Sequence, residues 1–150
     1  MIIVTGAAGF IGSNLIWQLN RLGVNEILAV DTLGNDDKFL NIRHLDLVDL
    51  ISPEQFLLDM DLYVHATHIF HLGANSDTTE KDGDSILAQN YEYSKEVFRW
   101  CEDSDTAMIY ASSAAVYGHG ENGFSEERSS ENPLNAVSYT HLRAHETRIH

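Results

Sequence analysis

Short apolar runs alternate along the chain with longer segments in which apolar residues recur every three or four positions. The apolar runs at 1–4, 27–30, 67–72 and 108–110 predict buried strands, and a further short strand is expected near 43–47. Apolar residues at helical spacing in 10–22 and 84–101 predict amphipathic helices. Strands and helices that alternate in units of about 30 residues favour right-handed crossovers, so the predicted fold is α/β, a doubly wound parallel (Rossmann) sheet.

Three glycines lie where the first predicted strand gives way to the first predicted helix, at Gly6, Gly9 and Gly12. Strand, glycine-rich turn and helix in this order are typical of a dinucleotide phosphate site, in which helix N–H groups bind the pyrophosphate. The spacing is G-x-x-G-x-x-G, and a tight turn without a ligand is the alternative interpretation. Asp31 ends the second apolar run, where a carboxylate would meet an adenosine ribose. Ligands of such sheets bind beyond the carboxyl ends of the strands, where residues 6–12, 31, 72–76 and 112–117 should gather.

Composition narrows the function classes. Nine Lys and Arg against 23 Asp and Glu give a formal charge of −14, which repels nucleic acid and anionic membranes. No run of about eighteen apolar residues is present, so a cytoplasmic protein without membrane contact is expected. The single cysteine, Cys101, is expected to be a buried apolar residue and not a nucleophile. His65, His68 and His71 fall on alternating faces of a strand, so no metal site is predicted.

Several motifs together carry a resemblance to a known family. The order TGAAGFIG (5–12), Asp31, HLGA (71–74) and YASSAAVYG (110–118) resembles the extended short-chain dehydrogenase/reductase family. Within it, KFLN (38–41), SDTTEKDG (76–83), NYEYSKE (90–96) and PLN (133–135) are similar to the ADP-glyceromanno-heptose 6-epimerase family, nucleotide-sugar epimerases of lipopolysaccharide core synthesis. The resemblance covers residues 1 to about 135.

The resemblance implies a nicotinamide cofactor and a nucleotide-sugar substrate. The resemblance implies NADP. NAD is the alternative, because the two residues nearest the ribose conflict: Asp31 would repel a 2′-phosphate, whereas Lys38 would attract one. Ser113 would bond to the sugar near the reacting carbon as the catalytic residue. Two positions depart from the family pattern: Leu72 stands where a Glu is frequent, and Pro53 stands where a Lys is expected. The residues implied to contact the cofactor are Gly6, Gly9, Phe10, Ile11, Gly12, Asp31, Thr32, Lys38, Leu72, Gly73, Ala74, Asn75, Ser76 and Asn90, or Gln89 beside it.

The end of the chain departs from the family pattern. The family's proton-transfer Tyr and Lys would stand at Val137 and His141. Tyr139 and Arg143 have the right spacing, but a shift of two positions rotates a helical side chain by about 200°. The stretch VSYTHLRAHET (137–147) also resembles an in-frame translation of a sequencing-library adapter.

We therefore expect a truncated Rossmann domain at 1–136 and a non-native tail at 137–150 that is mobile or only nominally helical. The C-terminal sugar-binding domain would be absent and the fragment inactive, whereas the full-length protein would be a homo-oligomer. Two alternatives stay open: another nucleotide-sugar epimerase or dehydratase, and a non-catalytic NAD(P)-binding module.

Overall fold

The computed structural model describes residues 1–35, 37–75 and 82–146, which fall into two compact units. The first unit comprises Met1–Gly73 and Val97–Ala111, and the second comprises Ala74–Glu96 and the residues from Ser112 onward. The first contains the sheet, and the second contains helices and turns.

The sheet of the first unit contains five parallel strands: β1 Ile2–Thr5, β2 Ile27–Val30, β3 Asp49–Ile51, β4 His68–His71 and β5 Ala107–Tyr110. Their order, β3-β2-β1-β4-β5, confirms the predicted doubly wound architecture. The central strand β1 pairs Val4 with Ala29 of β2 on one side and with Phe70 of β4 on the other. Strands β1 and β2 are buried along nearly their whole length, which explains why their sequences are apolar runs.

The predicted helices are present, with one refinement. The segment predicted as a single helix over 84–101 begins as a short α-helix, continues through a π-helical turn at Leu87–Glu92 and returns to α-helix. None of the helices within the described residues is both long and apolar enough to cross a membrane. The α-helices are α1 Phe10–Arg21, α2 Pro53–Asp59, α3 Gly83–Ile86, α4 Tyr93–Ser104 and α5 Ala136–Glu146. The 3₁₀ turns are Asp37–Asn41, Met60–Tyr63, Ala114–Tyr117 and Arg128–Ser130.

The prediction of a third strand near 43–47 is wrong, because β3 lies at Asp49–Ile51. Leu45 and Leu47 do pack against the core cluster, which accounts for the apolar pattern. The backbone N–H and carbonyl of Asp46, however, bond to the Asn20 side chain and not to a neighbouring strand. Asn20 Oδ1 accepts the Asp46 N–H at 2.9 Å, and its Nδ2 donates to the Asp46 carbonyl at 3.1 Å. The segment is thereby held as a turn against α1.

Helix α5 of the second unit contradicts the expectation that its residues are mobile or only nominally helical. Asn135 and Ser138 cap one another at its start: Asn135 Oδ1 accepts the Ser138 N–H at 2.9 Å, and Ser138 Oγ accepts the Asn135 N–H at 3.1 Å. Val137 and His141, one helical turn apart, are both buried at 6% exposure. Residues 147–150 lie outside the described part of the chain, and the domain boundary at 136 stays a prediction.

Candidate functional site

The turn between β1 and α1, residues 6–12, is called the phosphate loop below. Its first four N–H groups are all used within the protein. Gly6 and Ala7 donate to the Val30 carbonyl at 2.8 and 3.4 Å. Ala8 donates to Asp31 Oδ2 at 2.8 Å, and Gly9 donates to the Gly6 carbonyl at 3.1 Å. These residues therefore shape the loop and do not supply donors to a ligand.

The next N–H groups, those of Phe10, Ile11 and Gly12, have no acceptor within the described residues. Gly9 precedes the helix without a side-chain cap, and the first turn of α1 carries no acidic residue. The side chains of Phe10 and Ile11 are 83% and 65% exposed. Unpaired N–H groups at a helix N-terminus attract anions, so the start of α1 can hold a phosphate or pyrophosphate.

Close backbone contacts explain two of the predicted glycines. Gly6 has a φ of +67°, and a Cβ there would lie 2.8 Å from the Gly73 nitrogen. A Cβ on Gly12 would lie 2.9 Å from Ala7 Cα, so the start of α1 packs directly on the turn. The structure thus places Gly73 against the phosphate loop, as the shared sheet edge predicts. Leu72 lies beside it, with its N–H 3.3 Å from the Thr5 carbonyl.

A buried polar network that sequence reasoning missed fixes this contact. Thr5 Oγ1 accepts the Gly73 N–H at 2.9 Å and lies 2.8 Å from His71 Nδ1. Thr5 and His71 are each 1% exposed, and the His71 ring stacks on Tyr110 at 5.7 Å. His68 is exposed and bonds to its neighbour Thr67. The described residues hold no group of three His, Cys, Asp or Glu placed to bind a metal, and His71 serves the loop contact.

Asp31 and Lys38, which the sequence predicts to have opposite effects on cofactor choice, are bonded to each other. Lys38 Nζ donates to Asp31 Oδ1 at 3.0 Å and to the Thr32 carbonyl at 3.2 Å. The same Asp31 oxygen accepts the Thr32 N–H at 2.7 Å. The Asp31 side chain is 9% exposed and that of Lys38 is 35% exposed. The Lys38 ammonium therefore offsets the carboxylate charge that would repel a 2′-phosphate.

Asn41 also contacts the phosphate loop, and its position in the sequence does not predict this contact. Its Nδ2 donates to the Ala8 carbonyl at 2.8 Å, from the end of the 3₁₀ turn Asp37–Asn41 that also carries Lys38. The bond spans 33 residues of sequence, and no local pattern announces it.

In the second unit, Asn90 lies in the π-helical turn with no exposed surface. Its Oδ1 accepts the Asn75 N–H at 2.7 Å, and its Nδ2 donates to the Asn75 carbonyl at 3.0 Å. Asn90 therefore holds the backbone that follows Ala74, and π-turns of this kind are frequent at functional sites. Its contact with a cofactor stays a prediction, and Ser76 lies outside the described residues.

Ser113 caps the 3₁₀ turn Ala114–Tyr117, where its Oγ accepts the Ala115 N–H at 3.3 Å. Its catalytic role stays a prediction. In α5, Tyr139 is 52% exposed while Val137 and His141 are buried, which confirms that a shift of two positions places the tyrosine on another face. His141 Nδ1 lies 2.8 Å from the Val137 carbonyl. The buried face therefore lacks the Tyr and Lys that the family pattern would place there.

Comparisons with known proteins agree with this geometry. The model of the NAD dependent epimerase/dehydratase family matches residues 2–147, which extends beyond the predicted boundary at 136. ADP-L-glycero-D-manno-heptose-6-epimerase of Brachyspira hyodysenteriae is 47% identical over 144 residues, which are 93% of this chain and 45% of that protein. The chain thus spans about half the length of the curated relative that it matches.

Solved structures show the same fold. MoeE5, solved in complex with UDP-glucuronic acid and NAD, is 28% identical with a TM-score of 0.78, over 97% of this chain and 47% of its own. ADP-L-glycero-D-manno-heptose-6-epimerase of Helicobacter pylori, 24% identical, superposes with a TM-score of 0.77 over 97% of this chain and 49% of its own. The resemblance drawn from the motifs is confirmed, and the chain belongs to the NAD dependent epimerase/dehydratase family.

Proposed function

We propose that the protein binds a nicotinamide dinucleotide as part of an epimerase that interconverts ADP-D-glycero- and ADP-L-glycero-D-manno-heptose. The cofactor part is carried by the start of α1, beside Asp31 and Gly73, where the N–H groups of Phe10 and Ile11 have no acceptor among the residues that the structure describes. The substrate part is supported by the 47% identity to a relative of that name. Lipopolysaccharide core synthesis follows from the same resemblance.

The residues of this chain would bind and orient the dinucleotide. Its pyrophosphate would accept hydrogen bonds from the Phe10 and Ile11 N–H groups, with the helix dipole favouring the negative charge. Asp31 and Lys38 would meet the adenosine ribose. When bound, the nicotinamide supplies the redox chemistry of epimerisation, and the protein supplies orientation and proton transfer. Ser113 Oγ would donate a hydrogen bond to the sugar oxygen that changes charge.

We propose NADP as the preferred cofactor. The Asp31–Lys38 ion pair supports this choice, because a 2′-phosphate can replace the carboxylate as the partner of the Lys38 ammonium. NAD is the alternative, supported by the Asp31 carboxylate and by the NAD bound in MoeE5.

We further propose that the 150-residue chain does not turn over its substrate. Val137 cannot ionise, and the imidazole of His141 does not reproduce the ammonium that a lysine carries on a long flexible stem. An adapter-derived tail at 137–150 would account for both residues. Sequencing of the gene across codon 136 tests that origin, and an unchanged sequence would exclude it.

The activity test uses a chimaera in which this chain is joined to the remaining half of the Brachyspira hyodysenteriae relative. It compares the original residues with the double variant Val137→Tyr and His141→Lys. Because general acid–base groups contribute about 10²- to 10⁴-fold, the double variant should epimerise ADP-heptose at least about 100-fold faster. Equal rates would refute the proton-transfer argument.

The same assay separates the alternative functions. Turnover of UDP-hexoses alone would favour another nucleotide-sugar epimerase or dehydratase. A dinucleotide bound without turnover of either sugar would favour a non-catalytic module.

A further inference from the structure

The phosphate loop is attached to the 3₁₀ turn Asp37–Asn41 through one fully buried residue, Ala8. Asn41 Nδ2 donates to the Ala8 carbonyl at 2.8 Å, and Asp31 Oδ2 accepts the Ala8 N–H at 2.8 Å. Both backbone groups of Ala8 are thus held by side chains from later parts of the chain. Such side-chain bonds fix the orientation of the two peptide planes that flank a residue.

The same 3₁₀ turn reaches Ala8 by a second route. Lys38 stands three residues before Asn41, and residues at this spacing lie on the same side of a 3₁₀ helix. Lys38 Nζ donates to Asp31 Oδ1 at 3.0 Å while the other oxygen of that carboxylate holds the Ala8 N–H. The ribose-side residues and the phosphate loop therefore form one hydrogen-bonded assembly.

The Ala8 carbonyl has a particular place in this assembly. It lies four residues before Gly12, so it is the acceptor that the Gly12 N–H would use if α1 began one residue earlier. The Ala8–Gly9 peptide is also held at its other end, because the Gly9 N–H donates to the Gly6 carbonyl. The bond from Asn41 thus fixes the peptide plane that leads directly into the free N–H groups of Phe10 and Ile11.

We propose that Asn41 is a positioning residue for the dinucleotide, one that holds the Ala8 carbonyl so that the Phe10 and Ile11 N–H groups stay in place for the pyrophosphate. The inference rests on the proposed function, since it concerns the same site. Asn41 acts through the loop and does not contact the 2′ position, so its loss weakens NAD and NADP alike. It also weakens ADP, which has the pyrophosphate, and leaves adenosine unaffected.

The test is calorimetric titration of the 150-residue chain with NAD, NADP, ADP and adenosine. Loss of one hydrogen bond predicts affinities for the first three about three- to tenfold lower in Asn41→Ala, with adenosine unchanged within about twofold. Asn41→Asp keeps the side-chain size but cannot donate when ionised, so its loss should be at least as large. The matched control is Asn20→Ala, whose Nδ2 donates to the Val24 and Asp46 carbonyls, outside the phosphate loop.

The control variant should melt at a lower temperature and keep all four affinities. Wild-type affinities in both Asn41 variants would overturn the inference. An effect on NADP alone would mean that Asn41 contacts the 2′-phosphate. An equal loss of adenosine binding would show a general structural role. Either result would also overturn the inference. If the unmodified chain binds none of the dinucleotides, the proposed function itself fails, which the titration of that chain reveals first.

Discussion

Gly9 and Gly6 lie three residues apart in the phosphate loop, yet substitutions at them should have different effects. A large side chain at Gly9 should abolish dinucleotide binding without unfolding the protein, whereas even a methyl group at Gly6 should lower its stability. Gly9 has a φ of −72°, which any residue adopts, and a Cβ there would have one neighbour within 4 Å beyond adjacent residues, the Gly6 oxygen at 3.2 Å. A Cβ on Gly6 would instead meet three backbone atoms of Leu72 and Gly73 at 2.8 to 2.9 Å, at a φ of +67°.

The stability change can be worked from these contacts. Gly9→Leu removes a glycine, which lowers the entropy of the unfolded chain, but also weakens the helix cap, and the two effects leave the free energy of unfolding within about 1 kcal/mol. Gly6→Ala adds roughly 1–2 kcal/mol of left-handed backbone strain and about 1–3 kcal/mol of overpacking. At about 2–4 °C per kcal/mol for a domain of this size, its melting temperature should fall by roughly 4–20 °C.

The binding change follows from the free donors. A leucine at position 9, directly before the Phe10 and Ile11 N–H groups, would take up space that the pyrophosphate needs. Two hydrogen bonds to a charged phosphate contribute about 1.5–3 kcal/mol each. Their loss should weaken dinucleotide binding at least about 100-fold.

The assay pairs thermal melting, followed by circular dichroism, with calorimetric titration of NAD and NADP. We expect Gly9→Leu to melt like the original protein and to bind neither cofactor measurably. Gly6→Ala should melt at a lower temperature. A folded Gly9→Leu protein with unchanged affinity would refute the placement of the pyrophosphate at the start of α1.

Two further predictions concern side chains of the first unit. Lys38→Ala should lower the affinity for NADP relative to NAD about tenfold or more, because a charge-assisted bond to the 2′-phosphate is lost and Asp31 is left without its ion pair. An unchanged ratio of the two affinities in the same titration would show that Lys38 does not contact the phosphate. Burial raises the pKa of Cys101 to about 12. At pH 8 its thiol should therefore react with a thiol reagent only after guanidinium has unfolded the chain. Rapid labelling of the folded chain would contradict this.

The elements that could be predicted from sequence are those whose pattern follows from burial alone. Strands covered on both faces appear as apolar runs, which is why the strands predicted at 1–4 and 27–30 match Ile2–Thr5 and Ile27–Val30 closely. Leu45 and Leu47 are partly buried against the core cluster without forming a strand. Between them, the backbone N–H and carbonyl of Asp46 are bonded to the side chain of Asn20, which is distant in sequence.

The candidate site likewise combines features that a sequence pattern predicts with features that it does not predict. Its glycines and Asp31 could be identified because strand, turn and helix follow one another along the chain. The Asp31–Lys38 pair, the bond from Asn41 to Ala8 and the Thr5–His71 contact join groups up to 66 residues apart. Hydrogen bonds of this kind produce no periodic pattern in the sequence, so they cannot be predicted from a single sequence.

Helix α5 shows why the fold and the chemistry of this chain must be judged separately. A helix packs when its buried positions carry side chains of suitable size and when its first N–H groups are capped, and Val137, His141 and the Asn135–Ser138 cap meet those requirements. Proton transfer instead requires particular ionisable groups at the same two positions: a valine cannot ionise, and an imidazole does not reproduce the ammonium of a lysine. Similarity to related structures therefore supports the packing of α5 without supporting its catalysis, and activity has to be tested at Val137 and His141 themselves.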